Sequence, residues 1–379
     1  MAKPHKDFPM AACIIEHFSS LKDHRLDRNK LHSLIDIIVL AICAISSGAN
    51  GWEAIEDFGK EKEAWLRQYI PLKNGIPSHD CIAYTLCRVS PMAFRDCFMN
   101  WVNAVKEQTA GEVVAIDGKT ARGSRDRKNN RHPLHMVSAW ACSNRLVLAQ
   151  EATAEKSNEI TAIPKLLAIL ELKGCIVTLD AMGCQKAIAA QIIQQGADYV
   201  LGLKGNQGHL HEAVEDFFNT AQSADFRAVD YDYIEEIDKD HGRLETRRYW
   251  ITEELSSLSA VTDWTGLRSI GKVERECWQN DKKTVEQRYF INSIPADAGQ
   301  FAKAVRGHWG VENPLHWRLD VILGDDASRI RKNNGPAIIT SMRQLCLNLF
   351  ENEPSSLSLA KKRRKAAWND EYRAKVLFS

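Results

Sequence analysis

The chain has 379 residues, 44% hydrophobic and 26% charged, the composition of an ordinary globular protein with enough length for two or three domains. Its net charge of +1 excludes a bulk electrostatic draw toward nucleic acid, so such a partner would have to meet local positive surface. Ten cysteines stand singly without a CxxC pair and read as buried thiols of a reducing cytoplasm, which sets aside a disulfide frame or a zinc site.

From Leu21 to about Met99 the apolar spacing is helical, interrupted by turn signals at Ser46–Gly51 and Leu72–Asp80, with Ser78 as N-cap of HDCIAYTL. Ile37–Ile45 is the most hydrophobic segment, but a bilayer span needs about 20 apolar residues, so it reads as a core helix and no membrane is expected. These elements predict a helical N-terminal domain, residues 1–108. The pattern then changes. Val113–Ile116 is a β-favouring run that ends in Asp117, and His135–Ala152 reads as two strands joined at Ser143-Asn144-Arg145. A helix is expected over Asn158–Glu171, a second apolar run over Cys175–Leu179 ending in Asp180, a helix over Cys184–Gln195 and a strand over Asp198–Asn206. Three strands, helix, strand, helix, strand predicts an α/β fold with a mixed sheet.

Between about 209 and 295 the chain reads as a short helix followed by strand-like charged segments, GRLETRRYWIT, LRSIGKVEREC and VEQRYFINSI, hence a β-rich insertion. Helical periodicity resumes at Ala298 and is expected to run past Asp325 and Asp326 into PAIITSMRQLCLNLFENE. The basic run KKRRK, Lys361–Lys365, reads as solvated.

Asp117 and Asp180 share one local pattern, an apolar β run closed by an acid. A lone strand-terminal Asp reads first as a turn cap. Two of them at the ends of one sheet would repel unless a divalent cation lies between them, and oxygen ligands suit Mg²⁺ or Mn²⁺. A third acid is expected from VRGHWGVENPLHWRLDVILGDD, where His308, Glu312 and His316 fall on one stripe of a helix, with Trp309 and Trp317 beneath it. A zinc site on that stripe would leave Asp117 and Asp180 without a role.

Taken together, GIPSHD (75–80), AIDGKTARGS (115–124), TLDAMGCQ (178–185), LKGNQ (203–207), HGRLETRRYW (241–250) and RGHWGVENPLHWRLDV (306–321) resemble bacterial insertion-sequence transposases of the DDE type, closest to the H-repeat-associated proteins. The resemblance runs from about His24 to Leu349. It implies a ribonuclease-H-like mixed-sheet core in a catalytic domain over 109–379, with the insertion at about 209–295. It also implies catalytic and metal-binding residues Asp117, Asp180 and Glu312 around a pair of Mg²⁺ or Mn²⁺ ions. The activity implied is phosphodiester hydrolysis at element ends followed by strand transfer. The partner is double-stranded DNA, bound by a homo-oligomer in the cytoplasm, on the nucleoid when DNA is held. Family members often carry Tyr, Arg and Lys where this chain has Val305, His308 and Leu319. The alternative is therefore a catalytically degenerate, transposase-derived DNA-binding protein.

Pro314 removes a donor and disfavours helix at Asn313, so the helix either starts there or kinks there. Asp320 and Asp325 stand as substitutes for Glu312. The expected DNA-binding residues are Lys119, Arg122, Lys204, Arg243, Arg247, Arg248, Arg306, His308 and Arg318, joined by the loop cations Arg125, Arg127, Lys128 and Arg131. Trp250, Trp264 and Trp278 read as core residues or as a platform for an unpaired base.

Overall fold

A computed structural model describes residues 14–106, 111–153, 158–240, 243–258, 263–280 and 282–378; Cys13 and the expected 108/109 boundary lie outside the described residues. Helices α1 (Ile14–Phe18), α2 (Leu34–Ser46), α3 (Trp52–Glu61), α4 (Glu63–Leu66), α5 (His79–Leu86) and α6 (Pro91–Val105) come first. Ser33, Ser78 and Ser90 cap α2, α5 and α6 by accepting the N–H three residues on. In α2 every residue of Ile37–Ile45 is at most 1% exposed, which is why this helix is apolar all round.

A sheet follows from β1 (Val113–Thr120), β2 (His135–Ala141), β3 (Leu146–Thr153), β4 (Ile176–Leu179) and β5 (Asp198–Leu203), with α7 (Glu159–Ala168) and α8 (Lys186–Gln194) as crossovers. The strands lie in the order β3-β2-β1-β4-β5; β2 is antiparallel to β1 and β3, while β1, β4 and β5 are mutually parallel. This is the ribonuclease-H-like core.

After α9 (Gly208–Ser223) the insertion adds β6 (Asp232–Asp240), β7 (Arg243–Thr252), β8 (Ser269–Gln279) and β9 (Lys282–Asn292). Its strand β9 pairs antiparallel with β5, so core and insertion form one nine-stranded sheet ending in β6. The acidic strand β6, DYIEEIDKD, lies outside the three segments expected from sequence, because as an edge strand it has no buried face to impose an apolar alternation.

Helix α10 (Ala298–Gly310) lies against β1, β4 and β7 and passes straight into a π-helix, Glu312–Ile322. Helices α11 (Gly335–Asn352), α12 (Leu359–Trp368) and α13 (Asp370–Phe378) complete the chain. Two expectations are corrected. The helix from Ala298 does not run through Asp325 and Asp326: a non-helical segment from Leu323 to Asn334 intervenes, with Gly324 at φ +69 in the left-handed region. Nor is KKRRK a solvated loop: it lies within helix α12. There Lys362 donates to the carbonyls of Phe350 and Glu353, and Arg363 donates to those of Ile45 and Ile322.

One hydrophobic core joins α1 to α6 with α11 to α13 and with Trp140 and Val147 of the sheet. Within it α11 is buried along nearly its whole length and covers the outer edge of β3. The fully buried Asn348 replaces the missing strand partner there: its amide accepts from Val147 N and donates to Val147 O, both at 2.8 Å. Asn348→Leu keeps the volume but strands both backbone groups. We expect a loss of about 2 to 3 kcal/mol in urea denaturation, with the spectrum of the folded state retained.

Candidate active site

The parallel pairing of β1 with β4 ends at Ile116 opposite Leu179. The next residue on each chain segment is an acid, so Asp117 and Asp180 stand side by side where the parallel pairing stops, Asp117 within β1, which runs on to Thr120 against β2, and Asp180 just past the end of β4. Sheet twist and pairing fix both positions before any side-chain interaction is counted. Asp180 is exposed and accepts from the N–H groups of Met182 and Gly183 at 2.9 and 3.2 Å. Asp117 is more enclosed. Its Oδ1 accepts from Gly118 N at 2.8 Å, and its Oδ2 lies 3.7 Å from His316 Nδ1. Burial pushes its carboxyl up to about 7, and the charges of Asp180, Glu159 and Glu312 push the same way. Burial also pushes His316 down to about 4, so at neutral pH it is a neutral imidazole and gives Asp117 no compensating charge.

The two residues after Asp117 have separate roles. Gly118 leaves room for a buried pair, His135 Nε2 with Glu159 Oε1 at 2.5 Å; a Cβ on Gly118 would come within 2.3 Å of both. Lys119 carries its ammonium to Asp320 at 2.6 Å, Asp325 at 3.2 Å and Asp326 at 3.6 Å. Burial opposes that charge, but the acids more than offset it and hold the lysine above its ordinary range. Asp325 is 1% exposed and also bound by Arg343 Nη1 and Thr340 Oγ1, each at 2.9 Å. Asp320 and Asp325, the substitutes considered for Glu312, are thereby committed to holding the strand and the helix together.

Glu312 opens the π-helix and is exposed. Pro314 neither starts nor breaks the helix. The backbone widens instead, with Leu315 N and His316 N both donating to Val311 O. Val311, Leu315, Leu319 and Leu323 recur every fourth residue and bury together, which turns His316 and Asp320 toward β1. Trp317 is left 52% exposed, so it does not pack beneath the stripe; Trp309 stacks with Arg288, whose guanidinium lies 4.8 Å from the ring centre. His308 lies 3.1 Å from Thr178 on β4, and burial pushes its pKa down to about 4. Upstream, Gly307 packs α10 directly on Val113, where a Cβ would sit 3.0 Å from that side chain. The charge of Glu312 is felt at Asp117 beside that of Asp180, while among the described residues no three His, Cys, Asp or Glu side chains are grouped so that they could hold a metal ion. All the carboxylates concerned are hard oxygen donors with acceptor capacity left, a donor set that fits Mg²⁺ or Mn²⁺.

The expected DNA-contact residues separate into two groups. Arg122, Lys204, Arg243 and Arg306 are exposed, although Arg122 also pairs with Asp326, Arg243 with Glu245 and Arg306 with Glu236 and Asp238. The others are engaged by the protein: Lys119 as described, Arg247 by Asp238 and Glu245, Arg248 by Glu235, Glu274 and Glu276, Arg318 by Glu351, and His308 by Thr178. Trp250 and Trp264 are buried, whereas Trp278 is exposed and donates to Glu276 at 2.7 Å. The His135–Glu159 pair carried no sequence signal, since its members lie on separate elements. The glycine of AIDGKT was the one trace of it.

Two predictions follow from the raised Asp117 and the crowded Gly118. A carboxyl titrating near 7 in the fold and in the ordinary range when unfolded favours folding at low pH, and that contribution is lost as pH rises from about 4 to about 7. At 1.36 kcal/mol per pKa unit the loss reaches about 4 kcal/mol. His308 and His316 act oppositely, costing stability as pH falls toward 4, but equally in both proteins compared. Metal-free Asp117→Asn is expected to be more stable than wild type at pH 8 and to match it near pH 4 in denaturant titrations. Gly118→Ala is expected to lose about 1 to 3 kcal/mol by overpacking.

The chain was compared with known proteins. Residues 108–349 match the family described as "Transposase DDE domain", and residues 15–102 match "DDE_Tnp_1-associated". The "H repeat-associated putative transposase YhhI" of Escherichia coli (strain K12) is 41% identical over 96% of this chain and 97% of its own. An "Uncharacterized protein in dhlA 3'region" of Xanthobacter autotrophicus is 45% identical over 72% and 91%. Among solved structures, a piggyBac transposase synaptic complex with hairpin DNA aligns at 11% identity and a TM-score of 0.43, covering 96% of this chain and 77% of that one. With a family match over more than half its length and relatives near 40% identity along almost all of it, the chain belongs to the DDE-domain transposases.

Proposed function

We propose that this transposase-family chain cuts and joins DNA at insertion-sequence ends, with Asp117, Asp180 and Glu312 holding the divalent cations of the reaction. The observation that carries this reading is the pair of acids side by side where the parallel pairing of β1 with β4 stops, one of them enclosed and short of compensating charge. Bound Mg²⁺ or Mn²⁺ would activate the attacking oxygen and stabilise the leaving one. The protein's own part is positional. The sheet sets Asp117 and Asp180, the junction of α10 with the π-helix presents Glu312, and the Lys119 cluster fixes that helix on β1. Exposed Arg122, Lys204, Arg243 and Arg306 serve as phosphate contacts in this reading.

The second reading, a DNA-binding protein without strand transfer, is favoured by one observation. Val305 and Leu319 are each 1% exposed, so the places where relatives often carry Tyr and Lys offer DNA nothing here.

Incubation of the full chain with DNA bearing its element ends tests the choice. We expect Mg²⁺- or Mn²⁺-dependent nicking that falls on the order of 10²-fold or more in Asp117→Ala, Asp180→Asn and Glu312→Gln, each still folded by circular dichroism. Mn²⁺ calorimetry should show weakened binding in the same three. Asp325→Asn should instead lose stability by about 3 to 5 kcal/mol, as expected when a buried pair is broken. DNA binding without nicking in the wild type would establish the second reading.

A further inference from the structure

Away from the acids, a groove of about 990 Å³ lies between α3 and α5 on one side and two loops of the catalytic region on the other. One loop, residues 121–131, continues from β1. The other, residues 324–334, continues from the π-helix. The loops are locked to each other: Arg122 N donates to Asp326 at 3.0 Å, Arg331 donates to Gly123 O at 3.1 Å, and a Cβ on Gly123 would meet Ser328 O at 2.1 Å. The second loop is also seated on α5, where Asn334 donates to the carbonyls of Cys87 and Val89 at 3.0 and 2.9 Å. The groove is therefore a built feature that joins the N-terminal helices to the catalytic loops.

Its two walls differ in charge. The catalytic wall carries Lys128, Arg329 and Lys332, all exposed and, among the described residues, without a carboxylate ion-pair partner, beside a single acid, Asp126, which accepts from Asn129. The rim beyond them adds exposed Arg122, Arg125, Arg127 and Arg131. In a chain with 50 basic and 49 acidic residues, this is a strong local excess. The opposite wall carries Glu53 and Asp80, each in the first turn of its helix, where the dipole favours an acid. Its Arg88 stacks on Tyr84, the guanidinium 3.8 Å from the ring centre.

Resting on the reading of this chain as a DNA-acting protein, we infer that the catalytic wall of the groove binds the phosphate backbone of a DNA duplex lying across the groove's mouth. The N-terminal helices then form the acidic far lip beside that backbone. Unpaired cations concentrated on one wall suit a phosphate backbone and contain no base-reading array. The loops that carry them are anchored to Asp326, which also faces Lys119, so a duplex bound here is held in fixed relation to β1.

The test uses the full chain without divalent ion and a labelled duplex of about 30 bp of arbitrary sequence, titrated between about 50 and 200 mM salt. Combined Lys128→Ala, Arg329→Ala and Lys332→Ala should weaken binding about 10- to 100-fold and flatten the log–log salt dependence by about 2 to 3. Combined Glu53→Gln and Asp80→Asn should tighten binding several-fold, an effect that misfolding does not produce. Wild-type affinity and slope in the triple variant, or no tightening in the acid-wall variant, would overturn the groove assignment and leave the transposase reading intact. No binding by the wild type itself would overturn both.

Discussion

The ammonium of Lys119 is the tie on which the site depends. It projects from the strand that carries Asp117 and meets three carboxylates belonging to the helix and loop that follow Glu312. Without it Asp320, Asp325 and Asp326 would repel one another, with Asp325 buried among them and Arg343 its remaining cation. In a largely dehydrated setting a geometry that compensates these charges together is much better than any that leaves one alone. The distance between β1 and the π-helix is therefore set electrostatically, and Asp117 and Glu312 inherit it. In that light the sequence AIDGKT divides its labour among consecutive residues: the acid for the candidate site, the glycine for space, the lysine for attachment.

How far the sequence could be read depended on the range of the interaction. The core strands, the crossover helices and the paired acids were legible because each is declared locally, as an apolar run with an acid at its end. Strand β6 was not, since its residues face water. The π-helix was not either; the awkward Pro314 marked the place, but the widening by which the backbone absorbs it depends on Val311, Leu315, Leu319 and Leu323 finding a common core. Charge was the least legible property. The basic residues of Lys361–Lys365 looked solvated, yet Lys362 and Arg363 donate into buried carbonyls. Arg247 and Arg248 looked available to phosphate, yet cross-strand acids hold them.

The shared helical core has a related meaning. Helix α11 touches the N-terminal helices on one side and the edge of β3 on the other, so the first and last parts of the chain stabilise each other through the middle. A groove wall formed by α3 and α5 is thereby held against the catalytic sheet by close packing rather than by a tether, and interiors packed at protein density transmit displacement instead of absorbing it.

The other end of the sheet is protected differently. Strand β6 is nine residues long, exposes Ile234 and Ile237, and among the described residues has no strand beyond it. Such an edge is a template for adding strands from another molecule. It also carries Asp232, Glu235, Glu236, Asp238 and Asp240, so a second copy approaching edge to edge would bring like charges together at close range. The acids that engage Arg247, Arg248 and Arg306 along this strand therefore serve a second end, guarding the β6 edge of the sheet against a further strand.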